Sequence, residues 1–549
     1  MSMLNNNINN TILDKIPNFT ESFNTSIEKL KYDRLSNDQK NLLTSFKKYP
    51  VSKKTEPFYF NNNSDYATVY LQQKDFDNGT VRLKNSCRYV LIENIIFHPN
   101  PANDFKPTPE QINSGLYPIP GSYNLGFFAA ITLENKNAIL DLNNCIISQS
   151  TEHFLMQRFY AHIEVASAPF INNQGPSAGI TENHRAADNV AIINGCFDLS
   201  SHHAVHGNGA RNLLLSNLKI TQFQVAGIAL NGLRNAIIND VIINGSMNNV
   251  PVLSTYSQAI FTLPFIKKLA TDNECKKIYV NGKTRTAPEL YTELKDAIEN
   301  TRCEILDTGK TSDPLFENKH GGSDTNIYGM LLNVLGVAIN GFLSEVPENR
   351  TKVGNEDINL QNITIINICS NSAETVGLVD RTMVGEQTDC YGRTRPRCTG
   401  VVGGLFQHVE CTDTRGRFKP NILAEVQAIL GLHTNNGTIY FTRNIIDWIE
   451  GKIVKKHLLE RMYVEEEYGL DSMGHVMKGN IGLFIQGGKN ISGENILVSN
   501  IQNNGKIPKR KGQKTTPQGG KSIEIAIVVP EEVIINEVLY NKTYMRELN

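Results

Sequence analysis

The sequence predicts an all-β fold built as a solenoid, a parallel β-helix in which each coil holds three short strands and three corners. Three observations lead there. The block Ala204 to Asn212 aligns without gaps on Gly227 to Asn235, a shift of 23 residues, and Asn189 precedes Asn212 by the same 23. A period in the low twenties is too short for a helix pair and too long for a heptad. The columns Val190/Leu213/Ala236, Ile192/Leu215/Ile238, Gly195/Leu218/Val241 and Phe197/Ile220/Ile243 are apolar, whereas Asp198/Thr221/Asn244 is polar. Apolar positions two apart describe strands with one face inside. Finally, Asn194, Asn217 and Asp240 share a column between two apolar runs. Asn and Asp tolerate the left-handed conformation of a sharp corner, so stacked coils would set these side chains in a ladder. Asn208-Gly209 and Asn231-Gly232 supply the turn after the third run.

This pattern resembles the right-handed parallel β-helix of the pectin-lyase-like superfamily. The resemblance is carried by Asn189 to Gly245, by Gly482 to Asn490, which aligns on Gly227 to Asn235, and by Glu494 to Ile501, which aligns on Arg211 to Leu218. Ala130 to Ile147 and Asp357 to Asn371 fit more loosely. One such scaffold carries many functions. The resemblance implies either a lyase using calcium with Asp, Arg or Lys, or a hydrolase using grouped Asp residues. The polygalacturonase-like pattern expects Asn-Thr-Asp, Asp-Asp, Gly-His-Gly and Arg-x-Lys. Asp-Asp and Gly-His-Gly do not occur, and Val205-His206-Gly207 is the nearest substitute. Cleavage of a glycosidic bond by acid and base needs two positioned carboxylates, which counts against a hydrolase. Viral tail spikes and fibres share this fold, and the Asn-rich character is similar to that of β-helix proteins encoded by large DNA viruses.

Composition narrows the partners. The 549 residues are 40% hydrophobic and 20% charged, and 54 Lys and Arg against 55 Asp and Glu leave a formal net charge of −1. No global field favours nucleic acid. The basic run Lys506 to Lys514 lacks interleaved aromatics to stack on bases and is expected to be a solvated loop. Met1 to Asn10 has neither the basic nor the apolar region of a signal peptide, and no run reaches the length of a membrane span. The expectation is a soluble, unsecreted protein of cytoplasm or virion. Nine dispersed cysteines do not form a disulfide framework. Cys145 and Cys196 are expected to stack in the core, and the spacing of Cys390, Cys398 and Cys411 does not fit zinc.

Taken in order, residues 1–50 hold two amphipathic helices, Thr20 to Tyr32 and Ser36 to Lys48. Ser36-x-x-Gln39 is a capping box, and the pair is expected to cover the open end of the solenoid. Residues 51–250 form the first part of the body. Residues 251–325 are an insertion with a helix over Thr286 to Asn300. The body continues over 326–404, a helical insertion spans 405–478, suited to a lid or to self-association, and 479–549 close the body. Pro99 to Gly126 and Gln149 to Asn189 read as long loops, where binding and catalysis concentrate on a rigid scaffold.

The candidate catalytic groups are Asp198, His206 and Asp240. The candidate ligand-binding groups are Arg158, His184, Arg185, His202 and His206, all expected to be exposed, with His206 projecting beside Asp198. Residues four apart along a strand are separated by about 13 Å, so His202 and His206 share a metal only if the chain turns between them, and no metal site is assigned. No cofactor is expected, apart from calcium should the chain be a lyase. The reading is a structural or attachment β-helix that binds a glycan or a neighbouring protein, with homo-oligomers allowed. The alternative is a polysaccharide lyase or glycoside hydrolase.

Overall fold

The computed structural model describes residues 29–47, 68–118, 122–156, 159–169, 184–245, 283–308, 335–340, 355–370, 479–503, 521–528 and 530–547, with a few isolated strands elsewhere. These residues are mostly β-strand in parallel sheets, with few helices, consistent with an all-β fold. Arg158, the cysteines at 390, 398 and 411, the 405–478 helices, the Lys506 to Lys514 run and most of the first N-terminal helix lie outside the described residues.

From Ala161 onward the chain lays its main strands alternately into two sheets. Ala161–Glu164, His203–Asn208, Ala226–Asn231, Leu335–Asn340 and Gly479–Gln486 follow one another in the first sheet. Asp188–Phe197, Arg211–Thr221, Arg234–Asn244, Glu356–Ile366 and Lys489–Ser499 follow one another in the second. Partners such as Val190, Leu213, Ala236 and Ile358 stand in one register. Inward side chains of both sheets meet in a single core, with Val190, Ile192, Leu213, Leu215 and Ile238 from the second sheet and Val205, Ile228, Leu230, Val337 and Leu483 from the first. Burying such side chains is worth roughly 1.5–3 kcal/mol each.

The long strands bend where asparagine allows it. Asn194, Asn217, Asp240, Asn362 and Asn495 have φ of 58, 56, 54, 54 and 53°. A second column sits five residues earlier, where Asn189, Asn212, Asn235, Asp357 and Asn490 have φ of 56, 51, 49, 55 and 56°. Amide bonds link neighbours within the columns, Asn217 Nδ2 to Asn194 Oδ1 at 2.9 Å and Asn235 Nδ2 to Asn212 Oδ1 at 2.6 Å. Asp240 turns instead to Lys29 Nζ at 2.7 Å. These twin corners correct one alignment. Ile496 pairs with Ile363, which pairs with Val241, so Asn495 is equivalent to Asn217 and not to Asn212. Both corners carry an Asn followed by apolar residues, so the sequence matches itself when slipped by five.

A glycine column sets the spacing in the first sheet. A Cβ on Gly227 would stand 2.9 Å from Gly336 O, and one on Gly336 would stand 2.5 Å from Gly482 O. Only glycine permits this approach.

The second N-terminal helix, Asn37–Lys47, begins at the expected box. Gln39 N donates to Ser36 Oγ at 3.1 Å, and Ser36 N donates to Gln39 Oε1 at 3.0 Å. Its position differs from expectation. Leu35, Leu42 and Leu43 pack on Ala191, Ile193, Leu214 and Ile237, the outward residues of the second sheet. The segment therefore lies along the side of the sheet rather than over an end, because those four apolar side chains would otherwise face water. Gln39 Nε2 fastens it to Asp357 O at 2.8 Å.

Ala287–Thr308 is the helix of the first insertion, longer than predicted, with Thr286 Oγ1 accepting from Glu289 N at 3.3 Å. Cys196 corrects another expectation. Gly195 and Phe197 take the inward positions, and Cys196 pairs with Ile146 and Lys219 on the outer face. At the C-terminal end Tyr544–Glu547 and Val538–Tyr540 pair antiparallel with the last parallel strand of each sheet. Among the described residues no helix is long and apolar enough to cross a membrane.

Candidate functional site

Of the titratable groups nominated by the sequence, His206 stands on His203–Asn208, with His202 just before it, in the first sheet beside the strands Ala161–Glu164 and Ala129–Leu133. Ile163 and Val205 are register partners that point into the core, which turns the next pair, Glu164 and His206, to the opposite face. His206 Nδ1 lies 2.6 Å from Glu164 Oε2, and the two side chains are 1% and 0% exposed. The His203 ring stacks on His206 with centroids 5.0 Å apart, and Phe159 closes edge-on over His206 at 5.0 Å and over His203 at 5.6 Å.

Burial sets the protonation of this cluster. It pushes His184 down to about 4 and His202 to about 3, with the His206 charge adding to both. His203 is held well below the imidazole range for the same reasons. Burial raises the Glu164 carboxyl against the pull of His206. His162, stacked on Phe197 and bonded to the Asp198 carbonyl, is driven by burial to about 4. Among the described residues Glu164 Oε1, His206 Nε2 and His184 Nε2 make no hydrogen bond. His162, His184, His202 and His203 are thus imidazoles that burial makes resistant to protonation. Among the described residues no group of three or more His, Cys, Asp or Glu is placed to hold a metal ion.

Several expectations are corrected here. His202 and His206 are 2% and 1% exposed, not open to a ligand, because Phe159 and the Glu164 strand cover them. Asp198 does not serve His206. Its Oδ1 accepts from Thr221 Oγ1 at 2.7 Å and Gln222 Nε2 at 2.8 Å. Asp240 is held by Lys29. His184 is half-buried. Arg185 is exposed, but its Nη2 donates to Glu134 Oε2 at 2.7 Å. Glu134, fully buried, also accepts from Arg82 Nη2 at 2.7 Å and Thr132 Oγ1 at 2.8 Å. Burial alone would raise this carboxyl, but the Arg82 guanidinium with Thr132 and Arg185 holds it below the usual range.

Sequence reasoning missed Glu164 as the partner of His206. The two stand 42 residues apart, and only the parallel register of their strands joins them. Comparison of the chain with protein families, with curated proteins and with solved structures returns no match.

Proposed function

We propose that the chain is a structural or attachment scaffold of the right-handed parallel β-helix type, whose outer face binds a glycan or a neighbouring protein. The β-helix reading is supported by the alternation of strands between two parallel sheets, by the 23-residue offset of stacked amides and by the columns of left-handed corners.

One observation carries the binding reading. Ile146, Cys196, Lys219, Ile242, Thr364 and Leu497 stand in a single register column on the outer face of the second sheet. Ile146, Ile242 and Leu497 are 39, 44 and 55% exposed. Strands repeat about every 4.8 Å, so the column offers apolar side chains and a cation at regular intervals along the outer face. Aligned exposed apolar side chains mark an interaction surface more strongly than scattered ones. The bonds of Asp198 and Asp240 to Thr221, Gln222 and Lys29 favour this reading over a lyase or hydrolase, which would turn such carboxylates toward a polymer or a calcium ion.

Retention of the purified chain on immobilised acidic and neutral polysaccharides tests the reading, together with its state of association. Ile242→Asp is expected to weaken retention or association at least tenfold without lowering the melting temperature. A wild-type chain that binds no polysaccharide and stays monomeric at high concentration would remove the reading.

A further inference from the structure

Away from the buried cluster, two strand ends bring a second constellation to the surface. Phe97 and Gln149 are register partners in adjacent parallel strands, so the residues that follow them, His98 and Ser150, emerge side by side. His98 Nδ1 lies 2.7 Å from Ser150 Oγ, and His98 Nε2 lies 3.6 Å from Glu152 Oε2. Ser150 also caps the short helix Thr151–Leu155, where its Oγ accepts from His153 N at 3.1 Å.

In the tautomer that carries its hydrogen on Nε2, toward Glu152, His98 accepts the Ser150 hydroxyl proton at Nδ1 while Ser150 Oγ still accepts from His153 N. This is the arrangement in which an imidazole acts as base toward a hydroxyl while a carboxylate orients it. Access separates this group from the Glu164–His206 pair, since His98 and Glu152 are 36% and 51% exposed.

The neighbouring backbone is strained in a way that serves the same group. Asn100, Asp104 and Phe105 have φ of 47, 57 and 54°. A positive φ is uncommon for non-glycine residues and an outlier for a bulky one. The turn drives the Phe105 ring edge-on against His98 at 5.2 Å and stacks it on His153 at 5.2 Å, so one buried ring braces both histidines. Strain of this kind persists where the surrounding structure over-determines it, and it clusters at working sites.

We propose that Ser150, His98 and Glu152 act as nucleophile, base and positioning carboxylate in the hydrolysis of small acyl esters. Ser150 Oγ adds to the ester carbonyl carbon and gives its proton to His98 Nδ1. The carbon–oxygen bond to the leaving alcohol breaks, and that alcohol takes the proton. Water then adds to the acyl-serine and passes a proton to His98. The acyl–serine bond breaks, Ser150 recovers the proton, and a carboxylic acid leaves. Ester and water become acid and alcohol, with no other reactant. The inference does not rest on the attachment reading.

The test uses the full chain with p-nitrophenyl acetate as substrate and a fluorophosphonate as covalent probe, the modified residue being located by mass spectrometry. The expected result is modification at Ser150 and measurable turnover. Ser150→Asp keeps a side-chain acceptor for the helix cap and is expected to lose both signals while melting as the wild type does. His98→Gln should lower kcat by roughly a hundredfold or more, and Glu152→Gln should lower kcat about tenfold with KM unchanged. Failure of the probe to modify Ser150, or hydrolysis by Ser150→Asp at the wild-type rate, would overturn the proposal.

Discussion

Asn231 Nδ2 donates to Asn208 Oδ1 at 2.7 Å between side chains that are 1% and 0% exposed, and Asn340 Nδ2 donates to Asn231 Oδ1 at the same distance. This buried amide column ties three successive strands of the first sheet at the positions where the chain turns out of it. Its members are inside, so each bond replaces hydration that the fold has removed.

Replacing the middle member exposes that dependence. Asn231→Leu keeps the branched outline of the side chain but leaves Asn208 Oδ1 and Asn340 Nδ2 without this partner in a buried site. An unsatisfied buried polar group costs about 1–3 kcal/mol, so the variant is expected to lose about 3 kcal/mol in urea unfolding. A loss below about 0.5 kcal/mol would show that the column contributes little.

The corner at Asn217 separates two effects. Asn217→Gly keeps φ of 56° accessible and removes only the bond to Asn194, a loss of about 1 kcal/mol. Asn217→Leu adds the left-handed penalty of roughly 1–2 kcal/mol. The leucine variant should therefore melt below the glycine variant, and equal melting temperatures would refute the corner account.

At Gly336 the argument is steric. Its Cβ would meet Gly482 O at 2.5 Å and the Ile365 side chain of the opposite wall. Overpacking of this kind costs about 1–3 kcal/mol. Gly336→Ala is expected to lower the melting temperature, and an unchanged value would mean that the sheet spacing yields freely.

Acid is expected to weaken the fold before ordinary carboxylate titration begins. Burial holds His162 and His184 at about 4 and His202 at about 3, against 6.5 for an exposed ring. The unfolded chain takes up these protons near pH 6.5, whereas the folded chain refuses them until about pH 4. Stability is therefore full above pH 6.5 and falls as the pH drops toward 4, by about 1.4 kcal/mol per pH unit for each ring. Glu164 and Asp141, raised by burial, oppose this within the range between the usual carboxylate value and their own. The melting temperature is expected to fall between pH 6.5 and 5, less steeply in His162→Gln. A flat profile over that range would contradict the burial assigned to these rings.

Much of the inward face was legible because side-chain alternation is local. Val190, Ile192, Leu213, Leu215, Ala236 and Ile238 read as core and are core. The seat of the N-terminal helix was less plain, although a signal existed. Leu213-Leu214-Leu215 and Ile237-Ile238 break the alternation, and a strand apolar on both faces must be covered on both. The slip of five residues at Asn495 arose because the two left-handed columns of the second sheet have the same chemistry. His206 with Glu164, and Ser150 with His98, were not legible. Their separations of 42 and 52 residues depart from the 23-residue period, since connections of different length join the paired strands.

The scaffold reading stands most directly on what the chain does to a polysaccharide backbone. The deciding measurement incubates the purified protein at high concentration with acidic and neutral polysaccharides, with and without calcium, and follows new reducing ends and new unsaturated ends. The account predicts neither, even where the polymer is retained. Unsaturated ends would establish a lyase and reducing ends alone a hydrolase, and either would contradict it.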